Sequence, residues 1–263
     1  MPTISTIAPR ISLTFGRLIK PKSTLSLKYF TAFFLVITLS SCVTNAPQIA
    51  RITTLKSTSE SPRVLLMPLD VELSLLTTGG VTEPKADWTE SAIGFIHTSL
   101  AKKSSSLNFE IVDFNPSKLK NQEKLNQVQR LHSAVGGTIL EQRLVPLPSK
   151  KNGFSYSLGS DAIILGESYE ADYAMYMFVR DSYATSGRQA LIAFSAIASA
   201  FVPVPVATGG VQAGYVSLVD LKTGEIVWFN SLATTAGDLR KQEVATKSVD
   251  QFMKGFPSNI LGN

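Results

Sequence analysis

The apolar positions change period several times along the chain, and each change marks an element. Arg63 to Leu69 (RVLLMPL) is a continuous apolar run suited to a strand buried on both faces. Pro68 has no amide hydrogen, which places it near the strand end. Thr77-Thr78-Gly79-Gly80 reads as a loop, and Pro84 suits the first turn of a helix. Trp88, Ala92, Ile93, Ile96 and Leu100 then recur at helical spacing through to Lys103. Leu107 to Phe114 alternates and predicts a second strand. After Pro116, the positions Leu125, Val128, Leu131 and Val135 predict another helix, ending near Gly136-Gly137.

Residues 146–160 carry loop composition, and Asp161 can cap a short helix over DAIILGESYE. The next strand, ADYAMYMFVRDSY, sets Tyr173, Met175, Met177 and Val179 against Ala174, Tyr176 and Phe178. Both of its faces are apolar, which makes it a central strand. Residues 211–221 and 225–232 flank Lys222-Thr223-Gly224, a hairpin turn with glycine where positive φ is needed. Asp238 is placed to cap a last helix that shares Leu239, Ala245, Val249 and Phe252 on one face and stops at Gly255 and Pro257. The order predicts an α/β (α+β) fold: a mixed sheet of about five strands covered by helices, with an apolar helical insertion before the C-terminal hairpin.

That insertion, QALIAFSAIASAFVPVPVA at 189–207, is nearly free of polarity over its first part, with Ser195 and Ser199 one turn apart on one face. It is too short to span a membrane as a helix, which takes about 20 apolar residues, and it does not alternate like a barrel strand. Two readings stand. In one it is a buried helix capping the sheet; in the other Leu191, Phe194, Ile197 and Phe201 form a surface for a partner or for lipid headgroups. Arg180, Asp181, Arg188 and Gly209-Gly210 frame its base, as a hinge or charged rim or as ordinary strand ends.

The only cysteine, Cys42, ends the apolar run FFLVITLSSC. Before it come Arg10, Arg17, Lys20, Lys22 and Lys28, no acidic residue, and an apolar core from Tyr29 to Leu39. This is the order of an export signal. Leu39-Ser40-Ser41-Cys42 resembles the lipobox of bacterial lipoproteins. That resemblance implies cleavage after Ser41, a diacylglyceryl group on the Cys42 sulfur and often an acylated amine; the other reading is an incidental cysteine after a short anchor. Several acyl chains anchor stably, each buried CH₂ contributing about 0.8 kcal/mol. Val43, not Asp, follows the cysteine, which by the same resemblance implies the outer membrane. The expected division is a signal peptide at 1–41, a flexible tether at 42–61 holding the domain roughly 25 Å from the anchor, one globular α/β domain at 62–257, and a tail at 258–263.

Charge changes meaning once the signal is set aside. The formal +5 includes five Lys and Arg in residues 1–41 and none of the 20 acidic residues, so 20 of each sign remain from Cys42 onward. No basic stripe with interleaved aromatics appears, which excludes the footprint of a nucleic-acid binder. With a single cysteine the fold rests on its core rather than on an internal disulfide.

Catalytic patterns fail in turn. His97 and His132 fall on predicted helices without a metal-ligand neighbourhood, and each is expected at the surface. Gly166-Glu167-Ser168-Tyr169-Glu170 is not G-x-S-x-G, and the glycine pairs at 79–80, 136–137 and 209–210 lack the Lys-Ser/Thr of a phosphate loop. Asp70, Asp87, Glu90 and Asp113 could converge at a sheet end as acid and base, but solvated loop carboxylates are the expected reading. The expectation is a protein that is not an enzyme and has no cofactor and no metal.

RVLLMPLDVE, ADYAMYMFVRDSY and GYVSLVDLKTGEIVWFNSL resemble, over roughly residues 63–255, the domain shared by CsgG-type curli-export lipoproteins, LpoB-type activators of peptidoglycan synthases and the amino-terminal domain of TolB. The hairpin lines of the curli pore are not matched by 189–207. The resemblance implies a lipid-anchored envelope protein of the outer membrane, with its domain in the periplasm, acting as a scaffold or accessory factor through a protein partner or self-association. An oligomeric export component and an envelope hydrolase are the alternatives.

Overall fold

A computed structural model describes residues 49–57, 61–119, 122–144, 154–202, 208–235 and 237–257. The segment expected to be a signal peptide at 1–41, Leu39 to Cys42 and the tail at 258–263 lie outside the described residues. The strands are β1 (Ile49–Ala50), β2 (Arg63–Leu66), β3 (Asp70–Leu76), β4 (Thr82–Pro84), β5 (Glu110–Asp113), β6 (Tyr173–Ala184), β7 (Gln212–Asp220) and β8 (Ile226–Thr234). The helices are α1 (Ala86–Leu107), α2 (Gln122–Leu144), α3 (Ile163–Tyr169), α4 (Ser186–Ser199) and α5 (Gln242–Phe252). The fold is a mixed α/β sheet with helices on both faces. The sheet runs β1-β8-β7-β6-β2-β5, and β3 continues the edge beside β6 and carries β4.

The central strand is β6, as its doubly apolar alternation predicts. Tyr173, Met175, Met177 and Val179 enter a core shared with Ala92, Ile96 and Leu100 of α1 and Ala245, Val249 and Phe252 of α5. Ala174 and Tyr176 enter the opposite core with Val128 and Ile139 of α2 and Leu165 of α3. β2 and β3 lie parallel to β6, whereas β7 and β8 follow antiparallel through the turn in which Gly224 takes φ 73°. Only glycine adopts that backbone without strain.

Four boundaries differ from the sequence reading. Eight strands are present among the described residues instead of about five, because the apolar run after Pro68 resumes as β3 and two short strands, β1 and β4, extend the edges. Pro84 closes β4, and the helix begins at Ala86. α2 runs through Gly136-Gly137 to Leu144. A Cβ on Gly136 would sit 2.3 Å from the Tyr215 hydroxyl, so that glycine lets the helix lie against the Tyr215 ring. Lastly, the segment read as tether is docked from Ile49 onward. Ile49 and Ala50 pair with Phe229 and Trp228, Leu55 is buried, the Lys56 amide donates to the Tyr173 hydroxyl, and Ser57 donates to Asp172.

Candidate functional site

β6 ends at Ala184, and Thr185 caps the next helix by accepting a hydrogen bond from the Arg188 amide at 3.2 Å. The helix that follows, α4, has no side-chain charge after Arg188. The hydroxyls of Ser195 and Ser199 turn back on the backbone, Ser195 donating to the Ile192 carbonyl at 3.0 Å and Ser199 to the Ala196 carbonyl at 2.8 Å. Ser195 faces inward and is buried, and Ile192 beside it is half-buried. Between the helix and the body lies a groove of about 450 Å³ lined by Leu75, Tyr183, Gln189, Ile192, Gly209 and Arg240. Arg188 pins the base by donating to the carbonyls of Thr208 and Thr78.

The large apolar side chains of this helix point to solvent. Phe194 is 70% exposed, Ile197 66%, Phe201 83% and Val202 57%, with Leu191 also open. A buried cap on the sheet is not what the structure shows. Val81, in the turn after β3, and Val211, just before β7, are exposed at the same end of the sheet. Seven of the eight large apolar side chains exposed among the described residues thus gather there, and Leu131 on α2 is the eighth. The opposite end of the sheet is charged: Arg63 pairs with Glu110 and Glu170, and Arg51 with Glu225. Exposed apolar patches of this kind mark contact surfaces.

The groups expected to frame the ridge divide in two. Arg180 pairs with Asp70 at 2.7 Å and lies over the Phe178 ring. Asp181 is not a rim residue: it is buried, and its carboxylate accepts from the Leu239 amide and the Tyr183 hydroxyl. Burial pushes its carboxyl above the ordinary value against the pull of those two donors. Gly210 allows the chain to pass against the Ser182 carbonyl, where a Cβ would come within 1.8 Å.

The four acidic residues that could have formed an acid–base set are not pooled. Asp70 is held by Arg180 and Asp113 by His97 at 2.9 Å, whereas Asp87 and Glu90 face solvent near the start of α1. His97 is a surface residue as expected; His132 is not. It is buried under α2, stacked on Tyr176, with Nε2 2.6 Å from the Ser217 hydroxyl. Burial lowers its pKa to about 3, so the ring is neutral. The sequence held a signal for this, since His132 stands four residues after Val128 and seven before Ile139, on the apolar face of its helix. A cavity of about 270 Å³ opens beside it, lined by Leu69, Asp70, His132, Tyr176, Phe178 and Tyr215. Among the described residues no three of His, Cys, Asp and Glu gather to hold a metal ion.

The fold and the apolar ridge define a mixed α/β domain with helices on both faces and an uncovered helix at one end of its sheet. No family model and no curated protein matches the chain. Among solved structures the chain is similar to the PelC dodecamer from Paraburkholderia phytofirmans, at 12% identity and TM-score 0.36, over 81% of this chain and 99% of that one. It is also similar to the LpoB C-terminal domain from Salmonella enterica, at 17% identity and TM-score 0.25, over 68% of this chain and 86% of that one.

Proposed function

We propose that the protein is a lipid-anchored lipoprotein of the bacterial cell envelope, an accessory factor or scaffold that works through contacts rather than chemistry. The observation that carries this reading is the solvent-facing ridge of Leu191, Phe194, Ile197 and Phe201 on a chain whose single cysteine follows an export-type segment. An uncovered apolar helix costs solubility unless something covers it. Cys42, acylated after cleavage behind Leu39-Ser40-Ser41, holds the domain at the outer membrane with its folded part in the periplasm. Its contacts are with the bilayer and with envelope proteins or further copies of itself.

Cell fractionation tests this. The wild-type protein is expected in the outer-membrane fraction, released by detergent and not by salt. Recovery in the soluble fraction without detergent would overturn the reading.

A further inference from the structure

Resting on that reading, we infer that the occupant of the α4 ridge is the bilayer itself: the ridge lies in the membrane interface and sets the orientation of the anchored domain. The argument begins at the other end of the chain. β1 runs antiparallel to β8, with Ile49 opposite Phe229. Its N-terminal end, where the chain leads back to Cys42, therefore points along β8 toward Thr234. Thr234 lies opposite Gln212, and Gln212 opposite Asp181, three residues before Ala184 and the start of α4. The chain leaves the domain aimed at the end of the sheet that carries the ridge.

The lengths agree. Phe229 to Thr234 is five residues of strand, about 17 Å. Cys42 precedes Ile49 by seven residues, a reach of up to about 25 Å. The lipidated cysteine and the ridge can thus meet one plane, and the short lead favours it over a domain standing away from the surface.

The chemistry of that end fits a lipid surface. From Ser182 to Val219 the only charged side chain is Arg188. The carboxylates near that end are paired with cations, Glu83 with Lys85 and Asp238 with Arg240 and Lys241, which offsets the cost of bringing them to anionic headgroups. The helix has 14 residues and none of the described helices is long and apolar enough to cross a membrane. An amphipathic helix of this kind lies in the interface plane, with its apolar side chains about 5–10 Å into the headgroup and acyl boundary. The charged end at Arg63, Glu110 and Glu170 then faces away into water.

The test uses the full-length lipidated protein in vesicles of phosphatidylethanolamine and phosphatidylglycerol with brominated acyl chains. Two variants each carry one added tryptophan, Phe201→Trp on the ridge and Leu131→Trp on α2; the wild type gives the background of Trp88 and Trp228. The emission added by Phe201→Trp is expected to fall about twofold, the depth expected of an interfacial helix, and that of Leu131→Trp to stay unchanged. Equal emission from both in brominated and ordinary vesicles would overturn the inference. A photo-cross-linker in place of Phe194 provides the second arm. Adducts to lipid support the bilayer, whereas adducts confined to another protein or to a second copy overturn it. Palmitate labelling, lost in Cys42→Ala, reads the anchor separately, so failure of the ridge and failure of the anchor are told apart.

Discussion

His132 lies flat against Tyr176, the ring centroids 3.8 Å apart and the planes 14° from parallel. Its Nε2 is bonded to Ser217, the residue paired with Tyr176 across β6 and β7, so one helix residue locks α2 onto two strands. The site admits the neutral ring only. The unfolded chain takes up a proton near pH 6.5 and the folded one not until about 3, so acid favours unfolding across that window. This histidine's contribution is complete above pH 6.5 and shrinks as pH falls toward 3, by up to about 1.4 kcal/mol per unit. Urea unfolding followed against pH should show His132→Gln with a flatter dependence than the wild type. Parallel curves would refute the assignment.

Gly136 and Gly137 are adjacent in α2 and should respond in opposite directions. A methyl group on Gly136 meets the Tyr215 ring, whereas one on Gly137 meets nothing within 4 Å. Gly136→Ala is expected to cost about 1–3 kcal/mol as overpacking. Gly137→Ala is expected to gain about 0.8–1 kcal/mol, the helix preference of alanine over glycine. Thermal unfolding of the two single variants provides the comparison.

Leu55 tests whether the domain begins before residue 62. It is buried at 3% exposure in the core that holds Leu66 and Trp228. Leu55→Ala should therefore destabilise by about 2–5 kcal/mol, the range for a leucine removed from a packed core. A flexible tether would show no loss.

The ridge should be thermodynamically silent in the isolated domain. Phe194→Ser and Phe201→Ser remove side chains that are mostly in water, so chemical unfolding should move by no more than about 0.5 kcal/mol for each. A larger loss would mean that these rings pack against the body of the protein.

The elements legible in the sequence were those whose burial is set within the element itself. The alternation from Tyr173 to Val179 marked a central strand, and Lys222-Thr223-Gly224 marked its neighbours' turn. What was hidden depended on contacts made elsewhere. Glycines 136 and 137 carry a stop signal by composition, yet Tyr215 needs one of them inside a helix. Ile49, Ile52 and Leu55 are too sparse among polar residues to show a period, and it is the edge of β8 and the core beside Tyr173 that recruit them. The helix at 186–199 was visible as a helix. Whether Phe194 and Phe201 were core or surface was not, because an apolar pattern states that something covers a side chain and not what does so. The carboxylates stay apart, as expected of solvated groups, but their partners could not be read from spacing: Arg180 and His97 take Asp70 and Asp113 separately.

The most direct test of the central claim is the intact mass of the protein extracted from cell envelopes in mild detergent. The account predicts a chain that begins at Cys42 and carries the added mass of a diacylglyceryl group. A chain that retains Met1, or one cut elsewhere and free of lipid, would contradict it.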